Sequence, residues 1–126
     1  MGELPPDGVH GIDATLRRGA DNILRLRWAR GISISEADAR LAMDHVNELC
    51  SGDRLPMLVD MATTKAVSRG ARTVFGLPCS ASRIALLGSS QVDKVIANFI
   101  LGVSSLPCPT KFFTSESAAL DWLKEG

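Results

Sequence analysis

From Leu24 the chain alternates strictly, Leu24-Arg25-Leu26-Arg27-Trp28, so Leu24, Leu26 and Trp28 share one face of a strand. Ala14–Arg18 is a shorter strand candidate, and Gly19-Ala20-Asp21-Asn22 between them has turn chemistry. The two segments predict a hairpin with one buried side. Further on the period changes. Leu41, Ala42, Val46, Leu49 and Cys50 recur at helical spacing behind Ser35, an N-cap residue with Asp38 three positions on. Glu36 and Asp38 then sit at the positive end of the helix dipole, and Gly52 is expected to end the helix. Pro56–Met61 is a nearly continuous apolar run, the pattern of a strand buried on both faces. Ser82–Gly88 repeats it.

Three more helices and a last strand follow from similar signals. One helix starts near Ser68 and stops at Gly76 and Pro78. A second, capped by Ser89 or Ser90, carries Val92, Val95, Ile96, Phe99, Ile100 and Val103. Thr110–Phe113 is the last strand, and Thr114 or Ser115 caps a closing helix with Ala119, Leu120, Trp122 and Leu123. The order β-β-α-β-α-β-α-β-α implies βαβ units and a mainly parallel sheet with an antiparallel edge strand from the N-terminal hairpin. In such open sheets, ligands and partners meet the carboxyl ends of strands. The loop between Asp60 and Val67 is therefore the expected working surface.

Composition narrows the function classes. With 126 residues the chain makes one domain, expected over residues 12–126 after a flexible lead-in at 1–11 carrying Pro5, Pro6 and Gly8. Fourteen basic and fourteen acidic side chains give zero formal charge, which argues against a nucleic-acid binder. No basic segment followed by an apolar one opens the chain, and the run Val95–Val103 is too short and too polar to span a bilayer. Three dispersed cysteines, Cys50, Cys79 and Cys108, fit reduced thiols, so a cytoplasmic protein is expected. Two histidines, His10 and His45, far apart in sequence, offer no metal-ligand spacing, and no cofactor is implied.

Leu58-Val59-Asp60-Met61, a short loop, and Val67-Ser68-Arg69-Gly70 opening a helix resemble the STAS domain. This is the SpoIIAA-like layer fold of the anti-sigma-factor antagonists. Ser82–Leu87, Asn98-Phe99, the stretch from Pro107 to Phe113 and Ala118–Leu123 also look like an actinobacterial STAS-like branch. The resemblance covers roughly residues 13–124. It implies a single α/β fold and a protein-binding habit, with a homodimer as one expected state. Antagonists of this family carry a phosphorylated serine in their Asp-Ser-Ser-Gly motif. Here Arg69 stands at that position when matched on the glycine, and Gly70 when counted from the strand. Ser68 is the adjacent hydroxyl.

Several residues carry candidate chemistry, each beside a plainer reading. Ser68, Arg69, Gly70 and Arg72 form the first turn of a helix with Lys65 close by. They read as a partner- or anion-binding patch, or as an ordinary cap with solvated arginines. Asp60 lies in an apolar strand and needs a partner. Arg83 on the next strand is the expected one, as a structural ion pair or as the floor of a site. Gly88-Ser89-Ser90 reads as a phosphate-holding turn or a plain strand-to-helix connection; the Gly-Lys-Ser/Thr ending of a Walker loop is absent. Ile96, Phe99, Ile100 and Val103 read as core, or as a dimer or apolar-ligand face. Cys79 has no base at a telling spacing. The leading expectation is a regulatory protein-interaction module without catalysis. A small apolar-ligand or anion sensor is second, and an enzyme using Cys79 or Ser68 is a remote third.

Overall fold

The computed structural model describes residue 8, residues 11–101 and residues 108–125, with the side chains of 99–101 outside that description. The hairpin forms as the alternation requires. Strands β1 (Ala14–Arg18) and β2 (Leu24–Trp28) pair antiparallel, with Leu16 opposite Leu26 and Arg17 opposite Arg25. Then come β3 (Ser33–Ile34), α1 (Glu36–Cys50), β4 (Leu55–Asp60), β5 (Ala66–Val67), α2 (Arg69–Phe75), β6 (Ala81–Leu87), α3 (Gln91–Leu101), β7 (Thr110–Phe113) and α4 (Glu116–Glu125). The main sheet runs β1-β2-β4-β6-β7, parallel except for the hairpin.

Side-chain alternation divides the sheet into two faces. Leu16, Leu24, Leu26, Trp28, Met57, Val59 and Leu86 join the larger core with buried residues of α1 and α2. Leu58 and Ala85 point the other way and join Ile23, Ala119 and Leu123, so α4 covers that face. The sequence expectation missed β3 and β5. Each is two residues long, too short to show a period, yet they pair in parallel beside the main sheet.

Local capping matches the expected chemistry at most ends. Ser35 and Asp38 close a reciprocal capping box on α1, Ser68 Oγ accepts the Ala71 N–H on α2, and Ser115 Oγ accepts the Ala118 N–H on α4. The end of α1 differs from expectation. Ser51, not Gly52, takes the first left-handed position, with φ of 51°. Its N–H and hydroxyl both donate to the Glu48 carbonyl, which offsets the strain of a side chain there. The expected lead-in falls on residues outside the description, except Gly8, which bridges Thr15, and Gly11, which adopts a positive φ of 90°.

Gly88 marks where β6 hands over to α3. A Cβ built there would lie 2.7 Å from Asp93 Cβ and 2.7 Å from the Phe112 ring. Gly88→Ala is therefore expected to destabilise the fold by about 1–3 kcal/mol, read as a lower denaturation midpoint with unchanged slope. An unchanged midpoint would mean that this junction is slack.

Candidate functional site

The chain leaves β4 at Asp60, and three sets of hydrogen bonds fix the loop that follows. Asp60 is the first. Arg30, just past the end of β2, donates from Nη1 to Asp60 Oδ1 at 2.7 Å and from Nη2 to Oδ2 at 3.1 Å. Arg30 also donates to the Ala62 carbonyl, and the Ala62 N–H returns to Asp60 Oδ1 at 3.1 Å. Arg27 Nε lies 3.6 Å from the same carboxylate. Arg30 is 46% exposed, so solvent screening keeps this fork to about 1 kcal/mol or less. Its effect is to place the backbone at 60–62.

Asp93 is the second. It sits in the first turn of α3 and is 1% exposed. Its Oδ1 accepts the Thr63 N–H at 2.9 Å, and its Oδ2 accepts the Ser89 N–H at 2.7 Å and the Ser89 hydroxyl at 2.9 Å. Burial pushes this carboxyl up, but the donors from Ser89, Thr63 and Ser90 outweigh it and hold the pKa below the usual carboxylate value. One buried charge thus ties the β4 loop to the β6–α3 turn.

The third is the β3–β5 pairing. The Gly31 N–H meets both the carbonyl and the Oγ1 of Thr63, the Lys65 N–H donates to Ile32 O at 2.7 Å, and the Ser68 N–H donates to Ile34 O at 2.9 Å. Thr63 itself is held at φ of 60°, a conformation a threonine rarely adopts without such partners. The result is an ordered platform that carries Lys65, Ser68 and Arg69 exposed at its rim.

Several expected sites change on this platform. The Asp60–Arg83 pair does not form. In the β4–β6 register Arg83 stands beside Pro56, while Asp60 stands beside Leu87 at the other end of the strand, roughly 13 Å away at a strand's rise per residue. Arg83 instead donates to the Trp122 carbonyl at 2.6 Å and lies over the Trp122 ring at 4.2 Å. The Gly88-Ser89-Ser90 turn is not an open phosphate cradle either, because Asp93 already takes the Ser89 amide. At the start of α2, Glu36 packs onto Gly70 with Cβ 2.8 Å from where a Gly70 Cβ would lie, and its carboxylate rests there too. A free anion at that turn meets an acid first. Arg72 is half-buried in α2.

The apolar stripe of α3 divides. Ile96 packs on the larger core, whereas Val92 and Val95 are 69% and 56% exposed. The side chains of Phe99 and Ile100, and all of Val103, lie outside the described residues. Between the sheet and the helices is an apolar cavity of about 40 Å³, lined among others by Trp28, Met57, Met61, Phe75 and Cys79. Burial raises the pKa of the Cys50 and Cys108 thiols, which keeps them protonated. His45 faces Glu48 at 3.5 Å on α1, and His10 lies outside the described residues. Among the described residues there is no cluster of His, Cys, Asp and Glu able to hold a metal ion, and no helix long and apolar enough to cross a membrane.

Sequence reasoning missed Arg30 and Asp93. Arg30 was hidden because the partner of Asp60 was sought on the next strand in sequence, β6, whereas β2 flanks β4 on the other side and ends level with Asp60. Asp93 stands in the first turn of α3, where an acid is ordinary. The serine four residues ahead of it was the available signal, since such a pair can bridge a helix start.

With this geometry in hand, comparison with known proteins places the chain. A family model described as a domain of unknown function, DUF7793, matches residues 18–126. The chain belongs to the DUF7793 family. A crystal structure of a protein with unknown function from Arthrobacter sp. FB24 is 66% identical, covering 92% of this chain and 97% of that one, with a TM-score of 0.38. A second crystal structure, an uncharacterized protein of the DUF3478 family with a SpoIIAA-like fold from Shewanella loihica PV-4, is 20% identical. It covers 98% of each chain with a TM-score of 0.58. No curated protein matches the chain. The fold of this DUF7793 member is SpoIIAA-like, mixed α/β with, among the described residues, four helices and a mostly parallel sheet with one antiparallel pair, as the STAS resemblance implied.

Proposed function

We propose that this DUF7793 protein is a non-catalytic regulatory module of STAS type that binds a protein partner through Lys65, Ser68, Arg69, Gly70 and Arg72. The carrying observation is the platform itself. A loop at the carboxyl end of a central parallel strand is held by Asp60–Arg30, by Asp93 and by the β3–β5 pair. Rigid loops of this kind bind with little ordering cost. The Glu36 carboxylate over Gly70 and the exposed Lys65 and Arg69 give a surface of mixed charge, which suits a protein face better than a free anion. A constitutive binder needs no phosphate acceptor at the Arg69 or Gly70 position.

Charge reversal tests the surface. The double variant Lys65→Glu, Arg69→Glu is expected to lose a partner that the wild-type chain retains in pull-downs from its host, with an unchanged circular-dichroism melt. A full set of retained partners on the folded variant would place the binding surface elsewhere.

The cavity lined by Trp28, Met57 and Met61 favours a second reading, a sensor of a small apolar molecule. A stable non-covalent mass on natively purified protein, lost on organic extraction, would support it; a clean apo mass would count against it.

A further inference from the structure

The chain has three cysteines, and the fold gathers all three as free thiols at the end of the sheet away from the platform. Cys50 is the last residue of α1, ahead of β4; Cys79 stands two residues before β6, and Cys108 two residues before β7. Because β4, β6 and β7 are adjacent and parallel, their amino ends lie side by side. Cys50 belongs to the larger core and Cys79 packs against it. Cys79 is within electrostatic reach of both other thiols. Residues 79–80 are strapped to the last turn of α1. Asn47 Oδ1 accepts the Ser80 N–H at 3.0 Å, and the Cys50 thiol donates to the Ser80 carbonyl at 3.8 Å. Cys108 is held on its own strand, where its carbonyl accepts the Thr110 hydroxyl. The three differ in access. Cys50 and Cys108 are 0% and 8% exposed, whereas Cys79 is half-buried.

We infer that Cys79 is a redox-modified residue, oxidised by hydrogen peroxide and resolved by Cys50 into an intramolecular Cys79–Cys50 disulfide. Access decides which thiol reacts first, since peroxide reaches a half-buried sulfur and not a sealed one. The Cys79 sulfur attacks the O–O bond of the peroxide. An S–O bond forms, the O–O bond breaks, and the departing hydroxide takes the thiol proton as water. The Cys50 sulfur then attacks the Cys79 sulfenic acid. The S–S bond forms, the S–O bond breaks, and the hydroxide leaves with the Cys50 proton as a second water. The two sulfurs together give two electrons to the peroxide. A disulfide sets its two Cα atoms about 5.5–6 Å apart. Cys79 stands in the irregular connection between α2 and β6, so the approach turns that connection and leaves helix and sheet in place. The two straps on Ser80 already hold this connection against α1. The bond fastens it there. Nothing in this assignment depends on the platform having a partner.

Mass spectrometry of the full chain tests this. The folded protein is exposed to a few equivalents of hydrogen peroxide and quenched with catalase. It is then alkylated with N-ethylmaleimide in denaturant at slightly acid pH, where thiol–disulfide exchange is slow. Alkylation of Cys108 alone is expected, with a non-reducing peptide map that joins Cys79 to Cys50 and with all three thiols restored by dithiothreitol. Cys50→Ala is expected to stop at a Cys79 sulfenic acid that dimedone traps. Cys79→Ser is expected to keep both remaining thiols reduced, and Cys108→Ala to form the disulfide as the wild type does. If Cys50→Ala fails to fold, the wild-type peptide map decides alone. Three alkylated thiols on the peroxide-treated wild type overturn the assignment. So does Cys79 joined to Cys108 or to a second chain, or a disulfide that persists in Cys79→Ser.

Discussion

Replacing Trp28 by alanine is expected to lower the stability of the domain by about 3–5 kcal/mol. Trp28 is 2% exposed at the end of β2 and is one of the largest fully buried side chains. It joins β1, β2 and α1 in one core and already lines the cavity of about 40 Å³. Truncation therefore enlarges an existing void as well as removing apolar contacts. For a domain of this size the melting temperature is expected to fall by roughly 10–20 °C, a large part of a typical stability margin. Trp28→Phe, which keeps a ring in the site, is expected to cost less than half as much. A loss below about 1 kcal/mol for Trp28→Ala would show that the helices collapse onto the gap and that the cavity is not a rigid feature.

Replacing Asp93 by alanine is the second large effect, about 2–4 kcal/mol, and it acts on the site as well as on the fold. The change removes the buried acceptor of three donors, the N–H groups of Thr63 and Ser89 and the Ser89 hydroxyl, in bonds that are part-buried. Without them the left-handed Thr63 loses a main support, and its amide is expected to exchange with solvent markedly faster than in the wild type. The pH dependence has a definite sign. The folded-state pKa of Asp93 lies below its ordinary value of 3.8. Its contribution is therefore fully present above that value and is lost as pH falls through the folded pKa. Asp93→Asn should remove much of this contribution at neutral pH, and the gap between it and wild type should close only under acid conditions. A gap that stayed constant down through the carboxylate range would mean that Asp93 acts by shape rather than by charge.

The legible parts of the molecule were those with a period or a cap. The alternation at 24–28, the apolar runs of β4 and β6, and the Ser35, Ser68 and Ser115 caps marked their elements within a residue or so. Elements held by long-range partners were silent. The β3–β5 pair exists because Ser33-Ile34 and Ala66-Val67 lie side by side once β2 and β4 are parallel, and neither dipeptide carries a pattern of its own. The site was half legible for the same reason. Placing it at the carboxyl end of β4 needed only the βαβ order. Pairing Asp60 with Arg30 needed the sheet order β2-β4-β6, which puts a basic turn level with that acid and moves Arg83 to the opposite end. The arginine face was in plain view, since a strand that hides Leu24, Leu26 and Trp28 must show Arg25 and Arg27.

In-cell photo-crosslinking from positions 65 and 69 tests the central claim most directly. A photoreactive residue replacing Lys65 or Arg69 in the host is expected to trap one discrete protein partner, while the same residue at Glu48, exposed on α1, traps none. The same adducts from Glu48 as from the platform, or none from positions 65 and 69 in a folded chain, would contradict it.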